Sequence, residues 1–165
     1  MRRVRVGVIG VGHLGQHHAR IYSTLPDVEL IGVADIDSLR SKKIAQQYNT
    51  RPYHDYRDFL SRIEAASIVV PTKDHYSIAR HLLSEGKHVL VEKPITTSLE
   101  EAEELVNLAK RKNVIMQVGH LERFNPAVMK AREYVNSPRY IEAYRLGPYD
   151  PRTAEVGVIL DLMIH

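Results

Sequence analysis

The sequence predicts an α/β protein: a parallel sheet wound on both faces by helices. Three observations predict it. Short apolar runs alternate with amphipathic segments over residues 4–118, the pattern of repeated strand-helix-strand units whose strands are buried. The first run leads straight into Gly10-Val11-Gly12-His13-Leu14-Gly15, a glycine turn that opens a helix. The second run closes on an acid, Asp35, twenty positions beyond Gly15.

Val4 to Ile9 is the first strand, and over Gln16 to Leu25 the residues Leu14, His18, Ile21, Tyr22 and Leu25 fall at helical spacing. In a strand-turn-helix unit each glycine has its own job. One makes the turn, one lets the backbone approach a pyrophosphate, and one lets helix and strand pack closely. Unpaired N–H groups at the helix start then face the phosphates. Gly10, Gly12, His13, Leu14 and Gly15 are therefore candidate dinucleotide contacts; an ordinary glycine-rich turn is the plainer alternative.

Pro26 ends the helix, and Val28 to Ala34 is the second strand. A carboxylate at its carboxyl end can accept hydrogen bonds from an adenosine ribose. It would repel a 2'-phosphate by about 1 to 4 kcal/mol at roughly 4 Å, so NAD is favoured over NADP. Arg40, Lys42 and Lys43 lie a helical turn or more further on and could neutralise a phosphate. Asp35 could also be a simple turn or cap residue.

Ser41 to Tyr48 continues a helix, Thr50 to Tyr53 is a short extended piece, and Asp55 to Leu60 makes a short helix. Ala66 to Val70 is a buried strand ended by Pro71-Thr72, and a helix with Ile78, Ala79, Leu82 and Leu83 follows until Gly86 stops it. Lys87 to Val91 is the next strand, ending at Glu92-Lys93-Pro94. Ser98 and Glu101 form a capping box for a helix to about Lys112, with Ala102, Leu105, Val106 and Ala109 facing inward. Val114 to Val118 is a sixth strand. Strands and helices alternating this regularly make a doubly wound, Rossmann-type sheet over residues 1–122.

Ligands of such sheets bind beyond the carboxyl ends of the strands. Those ends are Gly10 to Gly15, Asp35, Pro71-Thr72, Glu92-Lys93-Pro94 and Gly119-His120. Lys93, fixed between a strand end and a proline, is poorly placed for a merely solubilising charge, although a Lys-Pro pair is also a common turn. His120 either approaches the ligand or caps the sixth strand.

Past His120 the pattern changes. Asn125-Pro126 is an N-cap with proline at the first helical position, starting a helix through Val135. Tyr140 to Leu146 alternates like a half-exposed strand, and Val156 to His165 reads as a helix. A lone strand and helix cannot make a stable domain. Residues 123–165 thus read as a linker helix and the truncated start of a second α+β domain.

With 44% hydrophobic and 26% charged residues among 165, the composition is that of a globular protein. The net charge of +3 and pI near 9.1 come from scattered basic residues, which argues against a nucleic-acid partner. There is no cysteine, so no disulfide or thiolate metal site can form. Apart from Asp161 and His165, the nine histidines and the acids show no compact cluster of metal-ligand spacing, and no metal is expected. No run of about 18 apolar residues exists to span a membrane. The apolar start is broken by Gly7 and Gly10 without a cleavage site, so a cytoplasmic location is expected.

The assembled residues resemble the Gfo/Idh/MocA family of oxidoreductases. The matches are Gly10-Val11-Gly12 with Gly15 and His18, Asp35, Val70-Pro71-Thr72 with His75, Gly86-Lys87-His88-Val89 leading into Glu92-Lys93-Pro94, Gly119-His120, and Asp161-Leu162-Met163-Ile164-His165. The run from Gly119 to Pro126 looks like the subgroup acting on nucleotide-linked amino sugars. The resemblance implies hydride transfer between a sugar, nucleotide-sugar or polyol carbon and nicotinamide C4. By that resemblance His165 is the general base, Asp161 orients it or binds a hydroxyl, and Lys93 holds the reacting oxygen. It likewise implies that Pro71, Thr72, His75, Glu92 and His120 border the cofactor. Family chains are roughly twice this long, and the missing sheet usually forms the homo-oligomer interface. Where family members often carry glycine inside the Asp-x-x-x-His motif, this chain has Met163. Competing readings are a dinucleotide-binding redox sensor without catalysis and a redox-neutral elimination or hydrolysis by transient oxidation.

Overall fold

The computed structural model describes residues 2–144 and 159–164, apart from the Asp161 side chain. The chain forms two compact units, Met1–Val118 and Gly119–His165.

In the first unit six parallel strands lie in the order β3-β2-β1-β4-β5-β6. They are β1 Val4–Ile9, β2 Val28–Ala34, β3 Arg51–Tyr53, β4 Ala65–Ile68, β5 His88–Val91 and β6 Met116–Val118. The helices between them are α1 Gly15–Thr24, α2 Ser38–Gln47, α3 Thr72–Ser84 and α4 Leu99–Lys112, with a 3-10 helix over Tyr56–Arg62. This is the Rossmann order: the chain winds outward from β1 in one direction, then returns through β4 and winds in the other. The switch point lies between β1 and β4, which pair from Val6↔Ala65 to Ile9↔Ile68.

Strand alternation explains the two cores. Val8 and Val33 point to the face covered by α1 and α2, where they pack with Val11, Ala19, Ile44 and Ala45. Their neighbours Ile9 and Ala34 point the other way, into a larger core with Phe59, Ile68, Leu82, Leu83, Val91 and Leu105. A sheet buried on both faces needs apolar residues at successive positions, which is why the strand sequences read as near-continuous apolar runs. Ile68 is fully buried. Ile68→Val should therefore lower unfolding free energy by about 0.5–1.5 kcal/mol, seen as a lower denaturant midpoint with unchanged slope.

Several elements differ from expectation for local reasons. α2 begins at Ser38 because Asp37 caps it, accepting from the amides of Leu39 and Arg40. β4 leaves the ladder after Ile68, although the Val69 amide still reaches the Ile9 carbonyl at 2.8 Å. In α4 the buried stripe is Leu105, Leu108 and Ala109, spaced i, i+3, i+4, while Val106 lies off the stripe and is 38% exposed. Ser98 does cap α4 through the Glu101 amide, and Lys110, Arg111 and Lys112 fill its last turn.

The second unit contains a 3-10 turn over Leu121–Phe124, α5 Pro126–Tyr134 and a wide helical turn over Ile159–Met163. Asn125 caps α5 by accepting from the Ala127 amide. The strand expected over residues 140–146 is not formed in its described part, residues 140–144. An isolated strand has nowhere to place its N–H and C=O groups, and these five residues have no partner strand among the described residues. The expected pairing of Asp161 with His165 lies outside the described residues.

Candidate functional site

The glycine loop separates what the fold needs from what a ligand needs. Gly10 has φ of +83°, and a Cβ there would sit 2.4 Å from the Val69 carbonyl oxygen. A Cβ on Gly15 would sit 1.9 Å from the Gly10 carbonyl oxygen. Both are required by the chain's own packing. A Cβ on Gly12 would meet nothing within 4 Å among the described residues beyond its chain neighbours, so no packing contact among them explains that glycine.

Just beyond, α1 starts with no side-chain cap and no acid in its first turn. Open space over Gly12 at an uncapped helix N-terminus suits the pyrophosphate of a dinucleotide. His13 and Leu14, between the glycines, are exposed.

Asp35 is buried at the end of β2 and is held from three sides. Its Oδ2 accepts from the Val11 amide at 3.0 Å and its Oδ1 from the Asp37 amide at 2.9 Å. Arg40 Nη1 donates to both oxygens at 3.1 and 3.2 Å. The carboxylate is thus tied directly to the glycine loop. Of the three basic residues noted near it, Arg40 is paired with it, on a half-exposed side chain.

At the β4 and β5 ends, Pro71 is exposed and Thr72 half-buried, where α3 starts without a side-chain cap. The His75 ring is 1% exposed. Its Nδ1 lies 2.8 Å from the Pro94 carbonyl oxygen and its Nε2 2.9 Å from that of Val70. It therefore joins the two strand-end loops and presents nothing to solvent. Lys93 is half-buried, and the peptide that follows it, to Pro94, is cis. His120 is half-buried in the second unit.

Glu92 anchors a polar chain whose members lie far apart in sequence. The Lys93 amide donates to Glu92 Oε2 at 3.2 Å, and Glu92 Oε1 lies 3.1 Å from His18 Nε2. His18 Nδ1 is 3.1 Å from Ser67 Oγ, which is 2.7 Å from the Tyr22 hydroxyl. One arrangement satisfies every group. Tyr22 donates to Ser67, Ser67 donates to His18 Nδ1, and a singly protonated His18 donates to Glu92. The faint sequence signals were a serine within the apolar β4 run and a histidine and a tyrosine on the inward stripe of α1.

Burial raises the Tyr22 phenol above its ordinary range, against the opposing hydrogen bond with Ser67. Burial also pushes the Glu92 carboxyl upward, but the hydrogen bond from His18, the Lys93 amide and the electrostatic pull of His75 outweigh it and hold the carboxyl below its ordinary range. A carboxyl depressed in the folded state adds stability above its unfolded value, and that stability is lost as pH falls through the folded value. Acid titration of stability should therefore show a loss that begins near pH 4.5 and deepens below it. In Glu92→Gln that portion of the slope should vanish; an identical acid limb would show that Glu92 is not stabilised by its partners.

The four strand ends are thus one connected constellation: loop to Asp35 through Val11, loop to Val69 and Val70 through Gly10, Val70 to Pro94 through His75, and β5 to α1 through Glu92 and His18. Residues 4–120 match the Gfo/Idh/MocA oxidoreductase family, which has an NAD-binding Rossmann fold. The chain belongs to this family. Over 166 residues it is 39% identical to UDP-N-acetylglucosamine 3-dehydrogenase of Acidithiobacillus ferrooxidans, covering 100% of this chain and 52% of that enzyme. The solved structure of that enzyme superposes with a TM-score of 0.91 over 99% of this chain and 54% of the other. A scyllo-inositol 2-dehydrogenase (NAD(+)) of Bacillus subtilis is 30% identical over 178 residues, 99% of this chain and 52% of its own length. GenD2 from gentamicin A biosynthesis, solved in complex with NAD, is 27% identical with a TM-score of 0.79, over 81% of this chain and 39% of that one. The chain spans about half the length of the curated relatives it matches. Among the described residues no group of three or more histidine or acidic side chains could hold a metal, and no helix is long and apolar enough to cross a membrane.

Proposed function

We propose that this Gfo/Idh/MocA chain is the cofactor-binding part of an NAD-dependent dehydrogenase that oxidises a hydroxyl carbon of a nucleotide sugar, with free sugars and polyols as the wider substrate class. The observation that carries the reading is Gly12. It is a glycine without a packing reason, open above, at the bare N-terminus of α1 and one residue from the amide that holds Asp35. The nucleotide-sugar choice rests on the 39% identity to UDP-N-acetylglucosamine 3-dehydrogenase across the whole chain.

In this reading Gly10 to Gly15, with His13 and Leu14, receive the pyrophosphate, and Asp35 receives the adenosine ribose. Pro71, Thr72, Glu92, Lys93 and His120 border the nicotinamide half, and His75 braces that border. Arg40 offsets part of the Asp35 charge, so the preference for NAD over NADP should be modest, about 1 kcal/mol or fivefold.

When bound, the nicotinamide supplies the hydride acceptor. Lys93 holds the substrate oxygen and stabilises the negative charge that develops on it as the O–H proton leaves. His165 takes that proton as general base, and Asp161 orients His165. The location proposed is the cytoplasm, and the intact protein is proposed to be a homo-oligomer through a sheet beyond these residues.

Calorimetry of the 165-residue chain with NADH and NADPH tests the cofactor assignment. Binding of NADH about fivefold tighter is expected, and absence of binding by either would overturn it. For the full-length protein, reduction of NAD on addition of UDP-N-acetylglucosamine but not of inositol is expected. The reverse preference would move the substrate to the polyols.

A further inference from the structure

The His75 ring lies between two groups that can only accept hydrogen bonds. The carbonyl oxygens of Pro94 and Val70 sit 2.8 Å from Nδ1 and 2.9 Å from Nε2, and the ring is 1% exposed. A neutral imidazole has one N–H and one lone pair. One of the two contacts would then set a lone pair against a carbonyl oxygen, in a place that water does not reach. Turning the ring over gains nothing, because it aims carbon atoms at both carbonyls.

We propose that His75 carries a proton on both ring nitrogens and acts as a buried cationic brace, a positioning residue that fixes the backbone on which Lys93 is mounted. Glu92 is its counter-charge. That carboxylate is 7% exposed, and a positive charge on His75 would help hold it ionised. The counter-charge is needed because His75 sits in the first turn and a bit of α3, where the helix dipole disfavours a cation. Other charged neighbours are Lys73 and Asp74 on α3 itself and Lys93 after β5.

His18 needs no second proton, since Ser67 can donate to its Nδ1 while its Nε2 faces Glu92. One negative carboxylate thus serves one cationic ring. Lys93 is gripped on both sides, at its amide by Glu92 and at the carbonyl of the next residue by His75. Both helices that supply the histidines start at strand ends of the candidate site, α1 at the glycine loop and α3 at Thr72.

The consequence for catalysis rests on the dehydrogenase reading, whereas the proton count does not. Nitrogen-15 NMR of the full chain at neutral pH should show a bound proton on each His75 ring nitrogen, and Glu92→Gln should remove one of them. A bare nitrogen in the wild-type ring, or two protons retained in Glu92→Gln, would overturn the charge assignment. In His75→Gln, which loses one of the two donors, hydrogen exchange at the Lys93 amide should speed about tenfold, the worth of one hydrogen bond. Unchanged exchange there would overturn the brace. In the full-length enzyme His75→Gln should lower kcat by about tenfold with NADH affinity unchanged; equal losses in both would show a general packing role instead. Should Lys93→Ala leave turnover intact while the NMR result stands, the dehydrogenase roles fail and the brace survives.

Discussion

Lys93→Ala in the full-length protein is expected to cut turnover by about a hundredfold or more, with NADH affinity changed by less than threefold. In the proposed role of Lys93 the size follows from removing one charged donor to a developing oxyanion, about 3–4 kcal/mol in sites closed to water. The split between turnover and binding follows from the structure. The backbone of Lys93 is held by Glu92 and, through Pro94, by His75, so truncating the side chain beyond Cβ leaves the β5 end in place. The proposed phosphate and ribose contacts lie elsewhere, after β1, at the start of α1 and just after β2. Steady-state rates with a nucleotide sugar, paired with NADH titration, check this. Unchanged turnover would remove Lys93 from the chemistry, and a matching loss of NADH affinity would make it a cofactor ligand only.

Gly12→Val should abolish detectable dinucleotide binding while leaving the fold intact. Beyond its chain neighbours no described atom lies within 4 Å of a Cβ at this position, so the added side chain meets no packing clash there and melting temperature should hold within about 2 °C. The same side chain fills the space assigned to the pyrophosphate and blocks the amides at the start of α1. Losing two charge-assisted hydrogen bonds of about 1.5–3 kcal/mol each weakens binding at least a hundredfold. Gly15→Ala is the contrasting control. Its Cβ would fall 1.9 Å from the Gly10 carbonyl oxygen, and this variant should lose stability first and binding as a result. Calorimetric binding and thermal melts on both variants separate the outcomes. Retained NADH binding by Gly12→Val would mean that the ligand does not approach this loop.

Much of the candidate site is legible in the sequence, because its parts are local. A glycine turn between an apolar run and a helix, an acid closing the next run, and a lysine before a proline are each visible within a short stretch of chain. The helix caps at Ser98 and Asn125 were legible for the same reason. Errors came where a choice depended on neighbours distant in sequence. Val106 and Leu108 are both apolar, and only the packing of α4 shows that Leu108 is the buried one. The alternation of residues 140–144 resembles a strand, yet alternation supplies no partner for the backbone.

Sequence alone determined the fold class, the family and the candidate dinucleotide residues, since these rest on short-range pattern and on spacing along the chain. Only the tertiary structure decided how those residues are coupled. It placed Arg40 on Asp35, ran a hydrogen-bonded chain from Tyr22 on α1 through Ser67 on β4 and back to His18 and Glu92, and set His75 between two carbonyls. Apart from the local Arg40–Asp35 pair, those contacts join residues far apart in sequence that the winding of the sheet brings together, and the proton count of a buried ring depends on which atoms surround it rather than on which residues precede it.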